Sequence, residues 1–222
     1  MTTKEVYLRG PAGALPRRAQ VGLFELPGRR EFLVRHLGAE PRRVLDIGCA
    51  GGLVALMLKR LGHRVVGVEL NRPMALEARR RGIDLVQQDL EVSLPFRSGA
   101  FDAVHACEII EHLFDTEGFL EEVYRVLASD GILVISTPNV NSLGNRLRVL
   151  FGRALPMWGA FPDDLHGSHL RVLNAAKITE LLERTGFRVD ELVGVDLGRL
   201  GRLLRPWPTL SHLLLLKCSR VA

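Results

Sequence analysis

From Arg43 onward the chain alternates short, almost uninterrupted apolar runs with amphipathic stretches: RVLDIG (43–48), LVALMLKRLG (53–62), RVVGVEL (64–70), RPMALEARRRG (72–82) and IDLVQQDL (83–90). A strand with one wet face would alternate polar and apolar residues. Strands as apolar as these are buried on both faces, which is the condition of parallel strands joined by covering helices. The stretch therefore predicts βαβαβ, and few architectures accept that pattern.

The alternation continues with strands at AFDAVHACE (100–108), GILVISTP (131–138), FRVDELVGV (187–195) and SHLLLLKCS (211–219), and with helices over 118–127 and 175–184, the latter ended by Gly186. The connection between the last two strands carries Arg and Pro without a full helical period, so these two are expected to pair antiparallel at one sheet edge. Before the first strand, RREFLVRHL (29–37) sets Phe32, Leu33, His36 and Leu37 at helical spacing, stopped by Gly38 and Pro41. Residues 1–28, rich in Gly, Pro and Arg, read as an irregular N-terminal arm over part of a cleft. Residues 139–170 read as an irregular insertion, and connections of that length usually serve function.

Length and composition set the limits. A chain of 222 residues with 47% hydrophobic and 25% charged residues suits one domain over 1–222 and excludes extended disorder. Lysine occurs only at Lys4, Lys59, Lys177 and Lys217, so arginine carries most of the positive charge behind the formal +5. Arginine suits phosphate and carboxylate, which permits an anionic partner without requiring one. Cys49, Cys107 and Cys218 are odd in number and lack metal-finger spacing, which fits a reduced, cytoplasmic setting. The start MTTKEVYLRG lacks a signal-peptide core and the longest apolar run, 213–216, is far too short to span a bilayer, so a soluble protein is expected. No heptad or interface pattern indicates an oligomeric state.

The chemistry concentrates in VLDIGCAGG (44–52), which ends a strand and opens a helix with glycines where the backbone must turn and a ligand must approach closely. Asp46 precedes the glycines, and the GCAGG spacing departs from the GxGxxG that receives a dinucleotide pyrophosphate. A carboxylate there can meet an ammonium group. Glu69 closes the second strand about twenty residues later, where a carboxylate can accept hydrogen bonds from both hydroxyls of a ribose.

These residues resemble the class I S-adenosylmethionine-dependent methyltransferases, in particular the small-molecule branch, tightly over 43–140 and loosely beyond. The resemblance implies an α/β, Rossmann-like three-layer sandwich with a mostly parallel seven-stranded sheet and an antiparallel edge strand. It implies S-adenosylmethionine as cofactor, with Asp46, Gly48, Cys49, Ala50 and Gly52 around its methionine part and Glu69 and Leu70 at the ribose. Asp89 and Leu90 are then expected at the adenine, and Ala106 and Cys107 beside the sulfonium.

FDAVHACEIIEHL (101–113) adds Glu108, Glu111 and His112 at i, i+3 and i+4; were a helix to begin there, all three would share a face able to hold a divalent cation, completed by His166 or His169. This ExxEH stretch is similar to metal-dependent O-methyltransferases of catechol-like quinone precursors or of an RNA ribose, and implies Mg, Mn or Zn near the acceptor hydroxyl. Without metal, His112, His166 and His169 are the candidate general bases. Arg146, Arg148, Arg153, Trp158 and Phe161 fall in the insertion and could grip an anionic or aromatic acceptor.

The expected activity is direct methyl transfer to an oxygen of a small molecule, since no amino-methylation signature of the DPPY or NPPY kind follows the fourth strand. An RNA 2′-O-methyltransferase and a noncatalytic S-adenosylmethionine binder remain alternatives, although no appended RNA-binding module is present and nucleic acid is not the expected partner. A nicotinamide oxidoreductase would need GxGxxG and a Tyr/Lys pair, and neither appears.

Overall fold

The computed structural model describes residues 28–38, 40–155, 169–195 and 207–221. The N-terminal arm up to residue 27, and His166, Trp158 and Phe161, lie outside the described residues. In chain order the elements are α1 (Arg29–Leu37), β1 (Arg43–Ile47), α2 (Leu53–Arg60), β2 (Arg64–Val68), α3 (Arg72–Arg80), β3 (Asp84–Val86), β4 (Phe101–Cys107), α4 (Thr116–Val126), β5 (Leu127–Pro138), α5 (Leu143–Leu150), α6 (Ala175–Arg184), β6 (Phe187–Val195) and β7 (Leu213–Arg220).

The strands form one seven-stranded sheet in the order β3-β2-β1-β4-β5-β7-β6. From β3 to β5 all pairings are parallel, and β7 runs antiparallel between β5 and β6. The antiparallel strand thus lies one position in from the edge, with β6 outermost. Successive residues serve opposite faces: Val44, Ala103, Val134 and Leu215 pack with Phe32 and Leu33 of α1 and Leu58 of α2. Leu45, Val104, Leu133 and Leu216 pack with Leu120 and Val123 of α4 and Ile178 and Leu182 of α6. Two covered faces explain why the strands read as continuous apolar runs. Among the described residues no helix is long and apolar enough to cross a membrane.

Several segments differ from the sequence expectation; β5, expected from 131, already begins at Leu127. The run 83–90 pairs only over Asp84–Val86, because β3 is an outer strand whose ladder with β2 ends there. Within 139–170, expected to be irregular, α5 is helical from Leu143, with the Ser142 side chain accepting from the Asn145 amide at its start. This helix buries only Asn145 and leaves Leu147, Val149 and Leu150 exposed, so it lacks the core-facing stripe by which periodicity reveals a helix.

Candidate cofactor and acceptor site

In an open parallel sheet, ligands bind beyond the carboxyl ends of the strands, where strand order reverses. Here the chain proceeds outward one way through β1, β2 and β3 and the other way through β4 and β5, so the reversal lies between β1 and β4. The glycine-rich turn follows β1 and the ExxEH stretch follows β4, which brings both sequence motifs to this one point.

The turn after β1 is held by short backbone ties. The amides of Gly48 and Cys49 both donate to the Val68 carbonyl, at 2.8 and 3.1 Å, and the Gly52 amide donates to the Cys49 carbonyl at 2.8 Å. Gly48 has φ 66°, a left-handed conformation, and a Cβ on it would fall 2.0 Å from Ile109 Cδ1. Glycine is required both by backbone conformation and by the approach of the segment after β4. Ala50 takes φ 45° without that freedom, and its amide donates to Glu69 Oε2 at 2.9 Å. The Cys49 side chain packs against Gly67 in the apolar layer, and burial pushes its thiol up, so only its backbone lines the turn.

Glu69 is 5% exposed, and its second oxygen accepts from the Asn71 amide at 2.7 Å. Burial raises its pKa against the opposing pull of the Asn71, Ala50 and Leu70 amides. This carboxylate therefore joins the turns after β1 and β2. The Gln87 side chain donates to the Leu70 carbonyl at 3.1 Å and ties in the segment after β3. There half-buried Asp89 accepts from the Glu91 amide at 3.2 Å, and Leu90 packs against the core.

Asp46 ends 1% exposed beneath the turn. One of its oxygens lies 2.7 Å from Nδ1 of His105, the residue opposite it in the β1–β4 register. Its other oxygen has no hydrogen-bond partner among the described residues. Burial by itself would lower the His105 pKa, but the charges of Cys107 and Asp46 outweigh it and raise the imidazole to about 10. Burial alone would likewise raise the Cys107 thiol, yet the charges of His105 and Arg29 bring it down to about 7. Arg29, 5% exposed at the start of α1, faces Cys107, Glu108 and Asp46. Neither Arg29 nor His105 was singled out from sequence. The one available hint was a histidine inside an otherwise apolar strand.

After β4 the helical face expected for Glu108, Glu111 and His112 does not form. Glu108 has φ 58°, which no helix accepts, and only a single 3-10 turn follows over Ile110–His112. The Glu108 carboxylate instead accepts from the Ser136 hydroxyl at 2.8 Å, and burial raises its pKa. Glu111 is 1% exposed, with Oε1 lacking a hydrogen-bond partner among the described residues; burial and the nearby Glu108 charge raise its pKa well above the usual carboxylate range. The Glu111 carbonyl accepts from the Leu170 and Arg171 amides at 2.8 and 3.0 Å, which draws His169 against His112 with ring centroids 4.9 Å apart. One ligand atom each from Glu111, His112 and His169 lie within 4.8 Å of one another. The cluster is thus carboxylate, imidazole, imidazole, without Glu108.

Comparison with known proteins agrees with this arrangement. Residues 24–192 match the family described as "Methyltransferase domain". The chain is 36% identical over 155 residues to the demethylmenaquinone methyltransferase of Thermus thermophilus, covering 65% of this chain and 70% of that protein. It is 30% identical over 162 residues to the mitochondrial ubiquinone biosynthesis O-methyltransferase of Bos taurus, covering 69% of this chain and 43% of that protein. The chain spans about half the length of several curated relatives that it matches. A solved S-adenosylmethionine-dependent methyltransferase of Thermotoga maritima superposes with a TM-score of 0.74 over 98% of this chain and 99% of that one, at 20% identity, which speaks for the fold. With the glycine turn after β1, the acid closing β2 and the strand-order reversal between β1 and β4 all in place, the chain belongs to the class I S-adenosylmethionine-dependent methyltransferase family.

Proposed function

We propose that this protein transfers a methyl group from S-adenosylmethionine directly to an oxygen of a small-molecule acceptor. The observation that carries the reading is the buried Asp46 oxygen without a hydrogen-bond partner among the described residues, under the glycine turn after β1 to which the buried Glu69 carboxylate is tied at the Ala50 amide. That donor set fits S-adenosylmethionine: an acid for its ammonium, the Arg29 guanidinium for its carboxylate, and Glu69 for its ribose hydroxyls. Gly48, Ala50, Gly52 and the Cys49 backbone shape the turn around the methionine part. Leu70, Asp89 and Leu90 flank the nucleoside, and Cys107 lies toward the sulfonium. The cofactor supplies an activated methyl on sulfonium, and the protein's own share is alignment of the acceptor and removal of its proton.

Without a metal ion, proton removal falls to the pair His112 and His169. Glu111, His112 and His169 would also hold a divalent cation of the Mn or Zn kind, given two imidazoles and one carboxylate, and such an ion lowers the pKa of a nearby hydroxyl. Oxygen as the target is supported by the relative named for O-methylation in ubiquinone biosynthesis. The 139–170 segment would cover the acceptor. Its exposed Leu147, Val149, Leu150 and Phe151 beside Arg146, Arg148 and Arg153 suit an apolar, ring-bearing molecule with an acidic group.

Calorimetry of the purified chain with S-adenosylmethionine and, separately, NAD, each with and without Mg, Mn or Zn, tests this reading. Saturable binding of S-adenosylmethionine that is lost in Asp46→Ala and Glu69→Ala is expected. Binding of NAD alone would overturn it.

A further inference from the structure

We propose that His105 is a positioning residue for the cofactor: it pins one oxygen of Asp46 so that the other is presented to the amino-acid end of the bound nucleoside, an inference that rests on the methyltransferase reading above.

The geometry is specific to this pair. The β1–β4 register sets Asp46 directly opposite His105, and the two side chains meet at 2.7 Å through Oδ1 and Nδ1, with side-chain exposures of 1% and 4%. A buried carboxylate with no anchor is costly and free to turn either oxygen toward any donor. Anchored through one oxygen, it keeps the second in a fixed place, and that second oxygen has no hydrogen-bond partner among the described residues. Such an atom, buried and unsatisfied, is complementary to an ammonium group that brings its own donors.

The surrounding charges support the same assignment. Asp46 is faced by Glu69 from the end of β2 and by Arg29 from α1; His105 is faced by Asp46 from β1 and by Cys107 from its own strand; Arg29 is also faced by Glu108. The charges of Cys107 and Asp46 favour the cationic imidazole, which helps to offset the Asp46 charge in the dry interior, while His105 Nε2 has no hydrogen-bond partner among the described residues. Acid at Asp46 and guanidinium at Arg29, near enough to feel each other's charge, together offer the two complements that an amino acid's ammonium and carboxylate require.

The test uses two ligands that differ only in that end. S-adenosylhomocysteine carries the amino-acid group, and 5′-methylthioadenosine keeps the nucleoside and thioether without it. Both are titrated calorimetrically into wild type, His105→Asn, His105→Leu and His105→Gln. An asparagine amide nitrogen occupies the position of Nδ1 and can keep the Asp46 bond, whereas glutamine reaches the Nε2 position and leucine offers no donor. His105→Leu and His105→Gln are expected to lose about tenfold or more of their affinity for S-adenosylhomocysteine while 5′-methylthioadenosine changes less than about threefold. His105→Asn is expected to stay within about threefold of wild type for both.

Equal losses for the two ligands, unchanged binding in His105→Gln, or an asparagine variant as weak as the glutamine one would overturn the assignment, and the Asn/Gln comparison stands even if the leucine variant does not fold. Wild type that binds 5′-methylthioadenosine as tightly as S-adenosylhomocysteine would overturn it while leaving a nucleoside site in place. Wild type that binds neither would overturn the methyltransferase reading and this inference with it.

Discussion

Gly48 carries two constraints that separate cleanly by mutation. Alanine there must adopt φ near 66°, and its Cβ would have to displace the end of the Ile109 side chain. Gly48→Ala is expected to lower unfolding stability by about 1–3 kcal/mol, read by urea denaturation; a change below about 0.5 kcal/mol would show that the turn tolerates a side chain. Glu69 makes a complementary case. Its oxygens already accept from the Ala50 and Asn71 amides, so an amide in its place turns one donor against another. Glu69→Gln is expected to weaken S-adenosylhomocysteine binding by about tenfold or more, measured by calorimetry, because hydrogen bonds to a charged acceptor are the stronger kind. Unaltered affinity would remove Glu69 from the site. Asp46, the glycines and Glu69 were legible in the sequence because a strand-turn-helix motif fixes their spacing. Arg29 and His105 were not, since their importance comes from neighbours on other elements.

At the scale of elements, β7 is the informative strand. Placed between β5 and β6, it buries Leu215 on one face and Leu216 on the other, both fully. Leu215→Ala and Leu216→Ala are each expected to cost about 2–5 kcal/mol in denaturant unfolding. An outer strand with one wet face would give one large and one small value, and that outcome would contradict the strand order. The β1–β4 junction offers a pH test. Asp102 accepts from the Arg43 backbone and side chain, and the Arg43 hydrogen bond lowers its pKa. A depressed carboxylate pKa stabilises the fold above its unfolded value of about 4, and that contribution disappears as pH falls through the folded value. Asp102→Asn should lower Tm by no more than about 3 °C at pH 7 and leave it unchanged near pH 2, because the pair is partly exposed and screened. An equal loss at both pH values would mean that packing, not charge, is at stake. Most elements were read correctly in kind from periodicity. Helix α5 escaped because its apolar residues face outward, and the helix expected at Glu108 failed because the chain leaves β4 through a left-handed residue.

Taken as a whole, the molecule should respond to its cofactor as a unit, since the turn after β1 and the acid after β2 are hydrogen-bonded to each other and Ile109 after β4 packs close against Gly48 of that turn. Saturation of S-adenosylhomocysteine at a hundred times its Kd adds about 2.7 kcal/mol and should raise Tm by about 5–10 °C in a thermal scan. A flat response would imply that the site is not formed in the native state. By itself the sequence determined the α/β alternation, the parallel sheet buried on both faces and the cofactor motif, all of which depend on residues close together along the chain. Only the tertiary structure decided that Asp46 meets His105, that Arg29 joins them from α1, that β7 inserts beside β5, and that Glu111, His112 and His169 gather without Glu108. Those outcomes depend on strand register and on the direction in which each strand ends, and both are settled by packing across the sheet rather than by local spacing.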